Sequence, residues 1–292
     1  ATAAVFCRRA RSRKMDEGFP MASRKPSLTR ARHLELLQKW PAFAERFWYP
    51  IPGQPDLGCF GTGFNSWGVQ TNQKYVGAVA ALALDPAADE AAIGLSREHL
   101  LCRALAALRY DLATHISGTL RRTDDTQWGH TWISGLGLER MMHAVDHLDE
   151  HLTDEDRDAL RRVLTSEAAW LYESYPVRGD RWNESHANVP ESNYWNGAIL
   201  LRAAMMYPDA AQRDAWTERG LEFLTSAISV PADAADETLL DGRPVRERHR
   251  GANFFPHYAL DHHGYLNVGY MVICLSNMAM LHYAYTLRGL TP

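Results

Sequence analysis

The stretch HYALDHHGYLNVGYM, residues 257–271, concentrates side chains that can transfer protons or bind metals. Its histidines, tyrosines and single aspartate are His257, His262, His263, Tyr258, Tyr265, Tyr270 and Asp261. A catalytic metal needs ligands that converge on one point, and neither the H-E-x-x-H nor the H-x-H spacing occurs here. A tyrosine beside a histidine can serve as proton donor or base once its pKa is shifted. We therefore predict an acid/base site without a metal or cofactor; the alternative is that the tyrosines bury their rings.

Several tryptophans lie within or beside loops rather than in the middle of periodic helical segments. They are Trp67, Trp128, Trp132, Trp182 and Trp195. An aromatic ring can stack on the C–H groups of a sugar while neighbouring amides and histidines hold the hydroxyls. A single tryptophan is more often packed beneath its loop. Taken as a group they predict a sugar-binding cleft, with His130 between two of them.

The segment NVPESNYWNG places Glu191 and Asn193 at a predicted helix start. An amide there can donate to a carboxylate, and the helix dipole favours an anion at this end. The alternative is simple capping by Ser192 or Asn193. The acidic pair Asp124 and Asp125 lacks the helical context of a metal–diphosphate motif, so we expect it to form a solvated turn.

Helical periodicity dominates from about residue 70 onward, and strand patterns are sparse. We expect Ser96, Thr153 and Ser192 to begin helices, Pro176 to end one, and Asp241-Gly242 to form a β-turn. Successive helix pairs are separated by long polar and aromatic loops. This pattern predicts an all-α fold: an incomplete or complete (α/α) toroid of antiparallel helix pairs, whose long functional loops line one rim. We assign residues 26–292 to this domain and residues 1–25 to a disordered basic segment or non-native leader.

The composition and net charge limit the classes of partner that the chain is expected to bind. The net charge of −4 gives no general attraction to nucleic acid or to an anionic membrane. No apolar run in the sequence is long enough to span a bilayer. No signal peptide is visible, and the sequence leaves the localisation open. The scattered cysteines, Cys7, Cys59, Cys102 and Cys274, are expected to be free thiols or incidental residues.

The helix pairs, the segment ESNYWNGAILL and the segment NFFPHYALDHHGYLNVGYM together resemble the helical toroid of heparinase II/III-like polysaccharide lyases. The resemblance implies β-elimination on a uronate-containing polymer. It implies that Asn193 neutralises the uronate carboxylate and that Tyr265 or Tyr270 is the acid/base, beside His262 or His263. The family usually adds a β-sandwich domain after the toroid, so the resemblance implies that this chain is a fragment that lacks this domain.

An acidic polysaccharide or oligosaccharide is the expected substrate, and a further set of residues is expected to help bind it. Beyond the tryptophans and His130, this set comprises Glu191, Arg248, Arg250 and His257. A glycoside hydrolase is the first alternative, with Glu191 and either Asp125 or Asp261 as its paired carboxylates. A sugar-binding toroid module without catalysis is the second.

Overall fold

The computed structural model describes residues 29–184 and 187–291. The predicted leader over residues 1–25 and Cys7 therefore lie outside the described residues. Helices make up 59% of the structure, which confirms the predicted all-α class. The helices are α1 (Arg30–Leu37), α2 (Pro41–Ala44), α3 (Trp67–Leu84), α4 (Glu90–Ile93), α5 (Arg97–Thr114), α6 (Ser134–Leu148), α7 (Asp154–Ser174), α8 (Pro190–Met206), α9 (Arg213–Ala227), α10 (Val245–Arg248) and α11 (Val268–Leu287).

The long helices form two packed rows. Helices α3, α6, α8 and α11 are neighbours in that order and make up the first row, while α5, α7 and α9 make up the second. The rows bury a shared apolar core between them, and α8 is buried on nearly every face. Residues of this core include Leu82, Leu108, Leu138, Leu164 and Ile199.

The helices of the first row run in the same direction. Gly137 of α6 packs against Gln70 and Gln73 of α3, and Gly77 of α3 meets Arg140 about one turn further along both helices. A Cβ at Gly137 would lie 1.8 Å from the Gln73 Oε1 atom, so glycine permits this close approach. Similar pairings join α6 to α8 and α8 to α11. The four helices therefore begin at one end of the row, which we call the rim.

Helix boundaries agree with the predicted caps in part. The Ser96 side chain accepts from the His99 backbone N–H, and Thr153 forms a capping box with Asp156, as predicted. Helix α8, however, begins at Pro190, two residues before the predicted start at Ser192, because proline suits the first helical position. Its N-cap, Val189, makes no side-chain capping bond. The predicted helix start at Ser192 and the alternative interpretation of capping by Ser192 or Asn193 are therefore both wrong.

Short antiparallel hairpins shape the loops. The strands are β1 (Trp48–Pro50) with β2 (Gly58–Phe60), β3 (Leu239–Leu240) with β4 (Arg243–Pro244), and β5 (Asp261–His262) with β6 (Tyr265–Leu266). The predicted turn at Asp241-Gly242 is confirmed, since it joins β3 to β4. The last hairpin was not predicted. Its turn residues His263 and Gly264 have φ values of 61° and 84°, as in a type I′ turn.

Among the described helices, none combines the length and the apolarity that crossing a membrane requires.

Candidate functional site

Glu191, His262 and Tyr270 come together at the rim, between the start of α8 and the start of α11. The His262 Nε2 atom lies 3.9 Å from a carboxylate oxygen of Glu191. The rings of His262 and Tyr270 are 4.5 Å apart between centroids. The β5–β6 hairpin presents His262, and the first turn of α11 presents Tyr270. Three of the predicted catalytic residues, His262, His263 and Tyr270, therefore share one site with Glu191, which was predicted to bind substrate.

Asn188 fixes the orientation of the His262 ring. The Asn188 Nδ2 group donates to the backbone oxygen of Asp261 at 2.6 Å, so its Oδ1 atom must act as an acceptor. That Oδ1 atom lies 2.6 Å from the His262 Nδ1 atom, which therefore donates. The neutral imidazole consequently carries its lone pair on Nε2, the nitrogen that faces Glu191. Such a nitrogen is suited to accept a proton.

Glu191 carries a buried carboxyl group whose pKa lies near neutral pH. It is 7% exposed, and burial raises its pKa from 4.5 to about 7. Its Oε2 atom has no hydrogen-bond partner among the described residues, and neither has the indole N–H of Trp195. The two residues are four apart in α8 and share one face of the helix. One carboxyl oxygen and one indole N–H without partners are therefore buried near the N-terminus of α8.

Tyr270 and Tyr265 occupy different environments. The Tyr270 hydroxyl lies 3.3 Å from the His263 Nε2 atom, and burial together with the nearby Glu191 raises the pKa of Tyr270. A raised pKa keeps the phenol protonated and suits a proton donor rather than a base. Tyr265 is 58% exposed on the hairpin. Of the two tyrosines predicted as the acid/base, Tyr270 is the one whose ring contacts both His262 and His263.

Trp67 and Trp132 form an exposed aromatic pair at the rim. Their ring centroids are 6.3 Å apart in an edge-on arrangement, and the side chains are 60% and 49% exposed. Trp67 is the first residue of α3 and so lies beside a loop, in agreement with the prediction. Exposed rings at two adjacent helix starts form a surface on which a sugar ring can stack.

Trp128 and His130 are held in a buried network. Trp128 is 2% exposed and its indole N–H donates to the backbone oxygen of Asp111 at 2.8 Å. The His130 ring stacks on Trp170, and its backbone N–H donates to Glu167 at 2.7 Å. Both predicted substrate-binding residues therefore make contacts that position their loop. Trp195 is also buried, at 5% exposure.

Asn193, the predicted carboxylate-neutralising residue, is fully buried and bonded to the chain itself. Its Nδ2 group donates to the backbone oxygen of Arg178 at 2.6 Å, and its Oδ1 atom accepts from the Arg178 N–H at 3.4 Å. Arg178 was not predicted. Its exposed guanidinium stacks on Tyr175, whose pKa is raised by burial and further by the charge of Glu191. Its position after Pro176 in a loop gave no sequence signal.

The predicted arginines are engaged elsewhere. Arg248 is buried and forms an ion pair with Glu218 at 2.7 Å, and Arg250 forms an ion pair with Glu222. These pairs hold the β3–β4 region against α9. His257 is exposed, and its ring lies beside Phe255.

The remaining acids and thiols add no second site at the rim. The Asp124 carboxylate accepts from the Asn65 and Thr126 backbone N–H groups, and Asp125 is 91% exposed, so the expected turn is confirmed. Within residues 29–184 and 187–291, no group of three His, Cys, Asp or Glu side chains is placed to hold a metal ion. Cys59, Cys102 and Cys274 are free thiols.

The chain matches no protein-family model, and searches of curated proteins and solved structures likewise gave no match.

Proposed function

We propose that this protein cleaves a uronate-containing polysaccharide by β-elimination at the α8–α11 rim, and that its two helical rows belong to an (α/α) toroid. The observation that carries the proposal is the convergence of three groups with complementary protonation. His262 carries its lone pair on Nε2, Tyr270 retains its proton, and one oxygen of the buried Glu191 carboxyl has no hydrogen-bond partner among the described residues.

The proposed reaction assigns one step to each group. The His262 Nε2 atom removes the proton from C5 of the uronate, and the electron pair forms the C4–C5 double bond as the glycosidic C4–O bond breaks. The Tyr270 hydroxyl donates its proton to the departing oxygen. Two positioned proton-transfer groups contribute about 10²–10⁴-fold each in typical enzymes.

In this proposal, side chains at the start of α8 neutralise the uronate carboxylate. Both polar atoms of the Asn193 side chain are hydrogen-bonded to the backbone of Arg178, so we do not assign its amide to the uronate carboxylate. Protonated Glu191 and the Trp195 indole N–H are instead unpaired donors on one face of the helix. The N-terminus of α8 adds favourable potential for an anion. Donors aimed at the carboxylate stabilise the enolate-like transition state, as an oxyanion hole does.

The parallel first row supports an acidic substrate. Four helices begin at the rim, and each N-terminus carries roughly half a positive charge. Trp67 and Trp132 provide an exposed stacking surface at the same rim. An acidic sugar chain can combine stacking with attraction to the helix ends.

A product assay tests the proposal. Purified protein is incubated with polymers that contain glucuronate, iduronate, mannuronate or galacturonate, and ultraviolet absorbance of the unsaturated product is followed together with new reducing ends. The proposal expects both signals to rise in parallel for at least one polymer. New reducing ends without absorbance would indicate hydrolysis instead.

A glycoside hydrolase is the second candidate, because the pKa of Glu191 near 7 is also that of a general acid. The Glu191→Gln variant separates the two. Glutamine still donates a hydrogen bond but cannot transfer a proton. In the lyase, this variant keeps activity and loses the decline in kcat/KM that ionisation of Glu191 causes above about pH 7. In the hydrolase, the same variant is inactive.

A further inference from the structure

A second polar cluster lies on the first row, about two helical turns from the rim. Lys74 of α3 is seven residues beyond Trp67, or about 10 Å along the helix axis. Its ammonium group donates to the Gln70 Oε1 atom at 2.8 Å. Arg140 of α6 donates to the Asn277 Oδ1 atom of α11 at 2.5 Å. Gly77, about one turn beyond Lys74, packs against Arg140, where an added Cβ would lie 3.5 Å from the Arg140 backbone oxygen. Lys74 is exposed, and partial desolvation together with the nearby charge of Arg140 lowers its pKa.

These contacts use the side-chain oxygens of Gln70 and Asn277 and leave their amide N–H groups as donors without a partner. Because the Gln70 and Asn277 side-chain oxygens accept from cations, their amide orientations are fixed. The Nε2 group of Gln70 and the Nδ2 group of Asn277 are buried without a partner among the described residues. Asn277 is 1% exposed and Gln70 is 2% exposed. Buried donors without acceptors cost free energy unless a ligand supplies the acceptors.

No carboxylate on the three surrounding helices neutralises the two cations. Helices α3 and α11 contain neither aspartate nor glutamate. The acids of α6 are Glu139 and Asp146, and both pair with Arg202 of α8. Within the described part of the chain, Lys74 and Arg140 form no ion pair with a carboxylate. Two like charges brought together without a counter-charge repel each other, and a bound anion removes that repulsion.

We propose that Lys74, Arg140 and the free amide donors of Gln70 and Asn277 bind one oxyanion group: a carboxylate, a sulfate or a phosphate. The two amide N–H groups of the cluster that lack a partner are donors, and its two charged groups are cations, so an acceptor-only ligand matches them. Arg140 supplies a planar donor fork suited to such a group. The site is separate from the rim residues assigned to elimination and does not depend on that chemistry.

Calorimetric titration of the whole chain tests this site without turnover. Sodium acetate, sulfate and phosphate are titrated separately, against sodium chloride at equal ionic strength. The anion that binds identifies the acidic group: acetate indicates a carboxylated ligand, sulfate a sulfated one, and phosphate a phosphorylated one. We expect at least one of them to bind the wild type. Absence of binding by all three overturns the proposal.

Variants locate the binding. Lys74→Gln and Arg140→Gln should each weaken the affinity at least tenfold, with unchanged circular dichroism. Lys39→Gln is the matched control, because Lys39 likewise donates to a side chain four residues earlier, that of Glu35, and is exposed. Equal affinity in Lys74→Gln and the wild type would overturn the assignment. The Tyr270→Phe variant should retain anion binding whether or not the elimination proposal holds.

Discussion

The buried carboxyl of Glu191 should make the protein less stable as the pH rises, and Glu191→Gln should remove that dependence. The pKa of this group rises from 4.5 in the unfolded chain to about 7 in the folded protein. The folded state therefore binds the proton more tightly than the unfolded state does. Its contribution to stability is fully present below pH 4.5 and is lost as the pH rises through about 7.

The size of the effect follows from the same two values. Each factor of ten in proton affinity corresponds to about 1.4 kcal/mol, so the free energy of unfolding should fall by about 3 kcal/mol across this interval. Because the carboxyl is almost fully buried, solvent screens the effect little. Protonation of His262 beside the carboxylate would reduce it.

Urea denaturation of the wild type and Glu191→Gln, at intervals from pH 4.5 to pH 8, measures the difference. The variant should gain stability relative to the wild type as the pH rises, by about 3 kcal/mol in all. Glu35→Gln serves as a control, because Glu35 is an exposed surface residue whose ion pairs with Arg32 and Lys39 lower its pKa. Parallel pH curves for the wild type and Glu191→Gln would refute the reasoning.

Other predictions concern the exposed aromatic pair, the buried ion pairs and the orientation of the histidine. Trp67→Ala and Trp132→Ala should each weaken oligosaccharide binding by about 1 kcal/mol in fluorescence titrations, without lowering the melting temperature, because the two side chains are 60% and 49% exposed. Arg202→Met should cost about 3–5 kcal/mol of stability in urea, because it removes the arginine partner of the buried Glu139 and leaves Asp146 with Arg288 alone. Asn188→Ala should lower kcat at least tenfold with little change in KM, because His262 loses the partner that fixes its tautomer.

The sequence predicted the class of fold because helices carry their signals locally. The cap at Thr153 and the apolar stripe of the following helix are both readable from spacing alone. The hairpin that presents His262 was missed because its turn uses His-Gly instead of the usual Asn-Gly or Asp-Gly. Histidine tolerates the positive φ that this turn requires, but less commonly than asparagine does.

The main residues of the site were predicted, but their hydrogen-bond and ion-pair partners were not. Glu191, His262 and Tyr270 were all singled out, and the structure brings them together. Asn188, which orients the histidine, lies 74 positions away in sequence, so only the packing of α8 against the last hairpin reveals the contact. The arginines expected to bind substrate form ion pairs within the protein instead, and the sequence did not reveal these partners for the same reason. The carboxylate partner of Arg248 lies 30 residues earlier, on α9.

The central claim is that Tyr270 donates a proton during β-elimination. The most direct measurement is the initial rate of unsaturated-product absorbance for Tyr270→Phe and Tyr265→Phe on the polymer that the wild type cleaves. Both variants remove one hydroxyl from a tyrosine near the same histidines, so they form a matched pair. The account predicts that Tyr270→Phe lowers kcat by about 10²-fold or more while Tyr265→Phe stays within a few-fold of the wild type. A wild-type rate in Tyr270→Phe would contradict it.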